Sequence, residues 1–278
     1  MKILITGGTG FVGSNLIERL KRKHKIVSIS RDKKIVKGVK ISIGNLNNLE
    51  SVKKFFKNID MVIHLAYSKN NYKENIIMAR NVISVSKKFH VKKIIFLSSM
   101  SAKRSHPDDY GKNKIEIEEI IRKSGINYTI LRPSIIYGKG SKSFDFIIEK
   151  LKKLPFVPIV GSGKYYIYPV SIYDVVFSIE RCLNNKKTDR KEYDLPGGER
   201  VYFIDLINEL KKSRGINKIN IKIPLSICKM ISIIFPKIIS RENINNMTEN
   251  SLADFRDAKK DFDYNPIKFS EGVRHGLL

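Results

Sequence analysis

A tyrosine and a lysine four residues apart are the clearest candidates for acid–base chemistry in this chain of 278 residues. Tyr110 and Lys114 stand at the start of a predicted helix, where residues four apart share a face. An ammonium group near a phenol favours the phenolate and makes the tyrosine a usable acid or base near neutral pH. Upstream, Ser98 and Ser99 follow an apolar run, so one hydroxyl can orient a substrate oxygen. The alternative, in so lysine-rich a chain, is an ordinary turn of a surface helix.

Glycines near the amino terminus have the spacing of a nucleotide-binding turn. Gly8, Gly10 and Gly13 satisfy GxGxxG between the predicted strand Lys2–Thr6 and the predicted helix Phe11–Lys23. Such a turn lets a pyrophosphate approach the backbone and rest on the N–H groups of the helix N-terminus. We therefore expect a dinucleotide cofactor.

The end of the second predicted strand bears on which dinucleotide is bound. NAD-binding sites usually place a carboxylate there for the ribose 2′-hydroxyl, whereas this strand ends in Ser30 and Arg31. A cation without a carboxylate suits a 2′-phosphate, and Lys33 and Lys34 add positive charge. We expect NADP(H) in preference to NAD(H). The alternative is that Asp32 binds the ribose and Arg31 is a solvated loop residue.

Short β-branched runs alternate with helical patterns over the first 135 residues, which favours a parallel sheet with helices on both faces. We predict an α/β fold, a Rossmann-type doubly wound parallel sheet. The predicted strands are Lys2–Thr6, Ile26–Ser30, Val39–Ile43, Met61–Leu65, Lys93–Ser98 and Tyr128–Leu131. The predicted helices are Phe11–Lys23, Leu46–Lys57, Tyr72–Phe89, Tyr110–Lys123, Phe144–Lys153 and Ile172–Leu183.

The alternation ends after about residue 135, and this defines the predicted domains. Residues 1–198 are expected to form the dinucleotide-binding domain, with loop insertions at 136–167 that face the substrate cleft. Residues 199–278, with one predicted strand at Ile219–Ile223, are expected to form a small mixed C-terminal substrate lobe. Open α/β folds bind ligands beside the carboxyl ends of the strands, so we place this lobe there.

The composition is strongly basic. The chain has 53 Lys and Arg against 27 Asp and Glu, a formal net charge of +26. These charges are spread along the chain without a recognition motif, so no specific nucleic-acid partner is expected. They do predict attraction to anions, and thus an anionic small-molecule substrate. The two cysteines and five histidines lack metal-ligand spacing, so no metal site is predicted.

The lack of a secretory signal and of a long apolar segment predicts a soluble protein. No secretory signal opens the sequence, and a cytoplasmic location is expected. The longest apolar stretch, Pro224–Ile239, is interrupted by Lys229, Pro236 and Lys237 and is shorter than the roughly 20 residues that span a bilayer. We interpret it as a helix packed in the small lobe. Weak docking on a membrane surface or a partner is the alternative, and a homodimer is one open oligomeric state.

The motifs together resemble the short-chain dehydrogenase/reductase superfamily, in particular its extended epimerase/dehydratase branch. The resemblance runs from Met1 to about Leu183. It rests on TGGTGFVG at 6–13, HLA at 64–66, SS at 98–99, YGKNK at 110–114, LRP at 131–133 and YG at 137–138. It implies a catalytic triad of Ser99, Tyr110 and Lys114. With Arg31 added, the expected cofactor site comprises Gly7, Gly10, Phe11, Val12, Gly13, Arg31, Asn45, Leu46, Ala66, Tyr110, Lys114 and Pro133.

Two features depart from the sugar-nucleotide epimerases of that branch. Ser99 and Tyr110 are only 11 residues apart, a shorter separation than those enzymes usually have. Ile167 stands where they commonly place an arginine on the substrate diphosphate. Both features resemble the atypical branch that includes the nucleotide-binding accessory subunit of respiratory complex I.

The resemblance implies an NAD(P)-dependent oxidoreductase or epimerase acting on a hydroxyl or ketone carbon of a nucleotide-linked sugar. Tyr110 would pass the proton, Ser99 would orient the substrate oxygen, and Lys114 would hold the nicotinamide ribose and lower the pKa of Tyr110. The alternative is a cofactor-binding structural or regulatory subunit with little turnover, docked on a membrane respiratory complex.

Overall fold

An eight-stranded sheet forms the centre of the molecule. The computed structural model describes residues 1–31, 34–69, 71–234, 244–245, 248–251 and 253–278. The strands of these residues are β1 Lys2–Thr6, β2 Lys25–Ser30, β3 Lys34–Val36, β4 Val39–Ile43, β5 Met61–His64, β6 Lys93–Leu97, β7 Asn127–Pro133, β8 Ile136–Tyr137, β9 Val157–Val160, β10 Tyr166–Ile167, β11 Val170–Ser171, β12 Lys191–Leu195, β13 Val201–Tyr202 and β14 Asn220–Ile223. The sheet has the order β12-β7-β6-β5-β1-β2-β4-β3, and only β3 runs antiparallel to its neighbour.

Helices cover both faces of this sheet. The helices are α1 Phe11–Leu20, α2 Leu49–Lys53, α3 Tyr72–Lys88, α4 Asp109–Arg122, α5 Lys142–Lys153, α6 Ile172–Cys182, α7 Phe203–Ser213, α8 Leu225–Ile234, α9 Arg256–Phe262 and α10 Phe269–Arg274, with short 3₁₀ turns at Lys54–Phe56, Met100–Lys103 and Lys186–Thr188. Successive residues of a strand point to opposite faces. In β1, Ile3 and Ile5 therefore pack with α1 and α6, while Leu4 packs with α3 and α4. This two-sided burial explains the continuous apolar runs of the sequence and confirms the predicted fold class.

The strand order opens a crevice at the carboxyl end of β1. The chain leaves β1 towards β2 on one side and returns to β5 on the other, so β1 lies at the point where the order reverses. Connections diverge there and leave room for a ligand. The glycine turn follows β1 directly, so it lies at this crevice.

Several strands were not predicted from the sequence. The edge strand β12 pairs with β7 through a mixed polar and apolar segment that lacks the apolar run of the central strands. The expectation of one strand after residue 199 was wrong, because β13 also pairs with β10. A two-residue strand exists only through its distant partner, so no local pattern indicates it. The part of Pro224–Ile239 beyond Ile234 lies outside the described residues.

The C-terminal residues form a small core and also return to the large sheet. The small core joins α5, α7 and α10 with β9, through Phe144, Ile148, Leu206 and Phe269 among others. After residue 253 the chain packs again on the sheet, where Phe262 and Tyr264 share the core of α1 and α6. The domain division at residue 198 stays a prediction. Within the part of the chain that the structure describes, no helix has both the length and the apolar character needed to cross a membrane.

Candidate active site

The glycine turn after β1 is closely packed and requires its glycines. Gly7 has φ +74°, and a Cβ there would lie 2.7 Å from the Ala66 nitrogen. A Cβ on Gly13 would lie 2.2 Å from the Gly7 carbonyl oxygen, while Gly10 N–H donates to that oxygen at 3.0 Å. Gly10 is the N-cap of α1 and offers no side chain to its free N–H groups. The turn therefore leaves the N-terminus of α1 open to an anion such as a pyrophosphate.

The end of β5 is tied to the end of β1 beside this turn. The Thr6 hydroxyl oxygen accepts from the N–H groups of Leu65 and Ala66, each at 3.2 Å. It also lies 2.8 Å from His64 Nδ1. Burial and the nearby Lys114 charge lower the pKa of His64 to about 3, so its ring is neutral at physiological pH. Among the described residues, no group of three or more His, Cys, Asp or Glu side chains is placed to hold a metal ion.

Tyr110 is held beside Ser99 by the start of α4. Asp108 is the N-cap of this helix and accepts from Gly111 N–H at 2.9 Å. A Cβ on Gly111 would lie 2.5 Å from the Ser101 carbonyl oxygen, so the first turn of α4 presses on the 3₁₀ turn that follows Ser99. The Ser99 side chain lies close enough to Tyr110 to act on the pKa of that phenol, which it lowers. The glycine in YGKNK thus permits the contact between the two candidate catalytic hydroxyls.

Lys114 is buried among three aromatic rings, those of Tyr67, Phe96 and Tyr110. Its Nζ donates to the Leu97 carbonyl oxygen at 2.9 Å and lies 4.4 Å from the Tyr67 ring centroid and 5.7 Å from that of Tyr110. Burial lowers the pKa of Lys114 to about 7, and the nearby carboxylate of Glu118 opposes this shift. The Lys114 side chain is therefore expected to titrate near neutral pH.

The structure corrects the expectation that Lys114 lowers the pKa of Tyr110. The pKa of Tyr110 is raised, first by burial, while the nearby Ser99 side chain works in the opposite direction. The Lys114 Nζ lies 5.7 Å from the Tyr110 ring centroid, and burial has the largest effect on the pKa of Tyr110 because it disfavours the phenolate. The resting tyrosine is thus a neutral phenol that can donate a proton.

A buried ion network lies behind these residues. Glu118 is on α4 four residues after Lys114 and binds Arg132 through two oxygens, at 2.8 and 2.6 Å. Arg132 also pairs with Glu192 on the neighbouring strand, and Arg122 donates to both carboxylates. The network joins α4 to the sheet at the level of the site.

The remaining sequence-predicted cofactor residues follow the carboxyl ends of the strands. Phe11 and Val12 are half-buried in the first turn of α1, Ala66 is half-buried after β5, and Pro133 is buried at the end of β7. These ends share one edge of the parallel sheet, so the structure places them with the glycine turn and Tyr110.

The predicted cofactor residues Arg31, Asn45 and Leu46 lie on the β2–β4 side of the crevice. Arg31 is exposed at the end of β2, and Asp32 and Lys33 lie outside the described residues. Asn45 is exposed after β4, where its side-chain oxygen accepts from Asn47 N–H at 3.0 Å, and Leu46 is buried. Arg31 and Asn45 therefore lie on the opposite side of β1 from Tyr110 and Lys114.

Sequence reasoning missed Tyr67, Asn75 and Asn113. The Tyr67 ring meets Tyr110 edge to face at 5.2 Å between centroids, and its buried hydroxyl has no hydrogen-bond partner among the described residues. Asn75 accepts from Ser68 N–H at 2.7 Å and donates to Asn113 at 3.1 Å, which fixes the loop that carries Tyr67. An aromatic residue directly after the HLA motif was the signal available in the sequence.

Comparison with known proteins identifies the family. Residues 3–195 match the profile of the NAD dependent epimerase/dehydratase family. UDP-glucose 4-epimerase of Vibrio cholerae is 24% identical over 95% of this chain and 90% of that protein. NADH dehydrogenase (ubiquinone) 1 alpha subcomplex subunit 9, mitochondrial, of Dictyostelium discoideum is 27% identical over 82% of this chain and 68% of that protein.

A solved structure has the same fold over nearly the whole length. The crystal structure of UDP-glucose 4-epimerase with UDP-glucose from Thermotoga maritima superposes with a TM-score of 0.79 and 22% identity, covering 99% of this chain and 96% of that one. The family match confirms the predicted superfamily branch, its dependence on a nicotinamide dinucleotide and the expectation of an enzyme. The matched residues make up more than half of the chain and include the glycine turn, Ser99, Tyr110 and Lys114, and the chain belongs to the NAD dependent epimerase/dehydratase family.

Proposed function

We propose that this enzyme acts on a hydroxyl-bearing carbon of a nucleotide-linked sugar. The observation that carries the proposal is the meeting of Ser99, Tyr110 and Lys114 next to a glycine turn in which a Cβ at Gly7 or Gly13 would lie within 3 Å of backbone atoms. The similarity to two UDP-glucose 4-epimerases supports the substrate class.

Each residue has a distinct part in the proposed reaction. A bound nicotinamide dinucleotide supplies reversible hydride transfer. Tyr110 donates or accepts the proton at the substrate oxygen, and Ser99 orients that oxygen and the phenol through its hydroxyl. Lys114 lies beside the Tyr110 ring and helps to position it. Its ammonium group donates hydrogen bonds to the cofactor ribose. The open N-terminus of α1 holds the pyrophosphate.

Sugar-nucleotide epimerases commonly bind the substrate diphosphate through an arginine, and this chain has Ile167 at that position. Another cation must therefore bind the diphosphate. Ile167 lies in β10 and pairs with Val201 of β13. At the edge of the same ribbon, the Arg200 guanidinium lies 4.2 Å above the Tyr166 ring and is exposed. We propose that Arg200 supplies the positive charge for the anionic group of the substrate.

The test is turnover on a panel of UDP- and dTDP-linked sugars, each with NAD⁺ and with NADP⁺. Product analysis then separates the three possible net reactions. A changed hydroxyl configuration shows epimerisation, loss of water shows dehydration, and accumulation of reduced cofactor shows oxidation. Absence of turnover across the panel, with cofactor bound, would contradict the proposal.

A subunit role is the second candidate, because one similar protein is a subunit of NADH dehydrogenase. In that role the chain binds its dinucleotide tightly and turns over little. Ile167 at the diphosphate position and the raised pKa of Tyr110 are compatible with such a role. Purification from its own host, followed by mass spectrometry of co-purifying proteins and small molecules, distinguishes the two. A respiratory complex recovered with the chain favours the subunit.

The assembly state and the location follow from separate measurements. We propose a cytoplasmic location, as expected from the sequence, and a homodimer, which the sequence left as one open state. Sedimentation equilibrium at several protein concentrations tests the dimer, and fractionation of host cells tests the location. A monomer at all concentrations would contradict the first proposal.

A further inference from the structure

Helix α8 presents an apolar face to the outside of the protein. Leu225, Ile227, Met230 and Ile233 are 40%, 43%, 54% and 76% exposed. Surface apolar residues usually occur singly, whereas these four lie within the ten residues of one helix. Lys229 is exposed between them, four residues from both Leu225 and Ile233, so it shares their stripe.

The opposite side of α8 is anchored in the protein. Cys228 and Ser232, one turn apart, are buried at 4% and 6% exposure. Cys228 packs with Val160 and Ile244 in a small apolar cluster. The helix therefore already uses its inward side for packing, and its outward side stays available for another surface.

The segment of sequence that contains α8 carries charge of a single sign. Residues 210–240 contain no Asp or Glu, and their basic residues are Lys211, Lys212, Arg214, Lys218, Lys222, Lys229 and Lys237. The strand β14 before the helix adds the exposed Ile221 and Lys222 to this segment. Apolar side chains whose sequence neighbours include cations and no carboxylates match an anionic lipid surface, where the chains enter the interface and lysines contact headgroups.

We propose that α8 lies flat on an anionic membrane surface and attaches the small lobe to it. Each lysine near such a surface strengthens partition by about fivefold, and a buried isoleucine by at least about tenfold. The proposal does not depend on the reaction, because none of the residues assigned to chemistry lies on α8.

The absence of tryptophan from the sequence allows a site-specific optical test. Ile233→Trp places a single indole on the proposed face. Ile35→Trp places one on the edge strand β3, where Ile35 is also 76% exposed. With vesicles of phosphatidylcholine and phosphatidylglycerol, the emission of Ile233→Trp shifts to the blue and that of Ile35→Trp does not. Vesicles of phosphatidylcholine alone produce no shift in either variant.

A second pair of variants separates insertion of α8 from general attraction by the basic protein. Ile233→Glu and Ile35→Glu change the net charge equally, and both sites are exposed, so folding is retained. In vesicle sedimentation, Ile233→Glu lowers the partition coefficient by at least about tenfold, whereas Ile35→Glu lowers it by no more than about twofold. Equal losses, equal blue shifts or no sedimentation with anionic vesicles would overturn the proposal. The last outcome would leave a protein partner as the occupant of this face.

Discussion

Glu118 accepts a hydrogen bond of 2.5 Å from the hydroxyl of Ser98. Glu118 lies one turn after Lys114 on α4, and Ser98 directly precedes Ser99 at the end of β6. One buried carboxylate thus connects α4, which carries Tyr110 and Lys114, to the end of β6, which precedes Ser99. The ion pair of Glu118 with Arg132 also connects α4 to β7.

Removing the charge of Glu118 is expected to destabilise the fold. In Glu118→Gln the size is kept, but Arg132, which is 10% exposed, loses its bidentate partner and keeps only Glu192. Breaking a buried pair from one side costs about 3 kcal/mol, measured as the free energy of unfolding in urea. Glu119→Gln is the control, because Glu119 is 53% exposed and its pair is worth under about 1 kcal/mol. Equal losses in both variants would show that the network contributes nothing beyond a surface pair.

Lys114 is expected to make stability depend on pH above neutrality. Its pKa is about 7 in the folded protein and 10.5 ordinarily, so between these values the unfolded chain binds a proton that the folded chain lacks. The free energy of unfolding therefore rises with pH in this window, by up to about 1 kcal/mol per pH unit from this group. Below pH 7 the contribution is constant and unfavourable.

Urea unfolding of the protein and of Lys114→Met at several pH values between 7 and 10 measures this contribution. The variant is expected to lose the rise, so the free energy of unfolding of the protein minus that of the variant increases with pH. Lys112→Met serves as control, since Lys112 is on the same helix and 57% exposed. Parallel curves for the protein and Lys114→Met would contradict the lowered pKa of Lys114.

Tyr110→Phe is expected to lower turnover by at least about 10²-fold, because the proton donor is lost. The half-buried ring and its edge-to-face contact with Tyr67 are kept, so cofactor affinity is expected to change little. Steady-state kinetics on the substrate found in the panel and calorimetric cofactor titration measure the two effects. Tyr173→Phe, at a site 53% exposed on α6, is the control. Unchanged turnover would remove Tyr110 from the mechanism.

The end of β2 is expected to select the phosphorylated cofactor. Arg31 is exposed there, and a guanidinium makes charge-assisted bonds to phosphate worth about 1.5–3 kcal/mol each. NADPH is therefore expected to bind at least about tenfold more tightly than NADH at about 0.15 M salt. Ser30→Asp with Arg31→Ala reverses the preference, because a carboxylate repels the phosphate and accepts from a free 2′-hydroxyl. Equal affinities in the unmodified protein would leave Arg31 as a solvated loop residue.

The sequence alone determined those features that neighbouring residues create together. The glycine spacing from Gly7 to Gly13, between a predicted strand and a predicted helix, indicated a tight turn, because only glycine fits the close contacts there. The alternation of strands and helices predicted the parallel sheet for the same reason. Tyr110 and Lys114 were found because a helix places residues four apart on one face.

The tertiary structure decided the features that depend on partners far apart in the chain. Tyr67 lies over Lys114 only because β5 and β6 are neighbours in the sheet, and Glu118 meets Arg132 only because α4 packs on β7. The pKa of Tyr110 is likewise raised by burial, and burial is a property of the assembled molecule. Local sequence sets backbone conformation, while charge pairing, desolvation and edge-strand pairing arise only when distant segments meet.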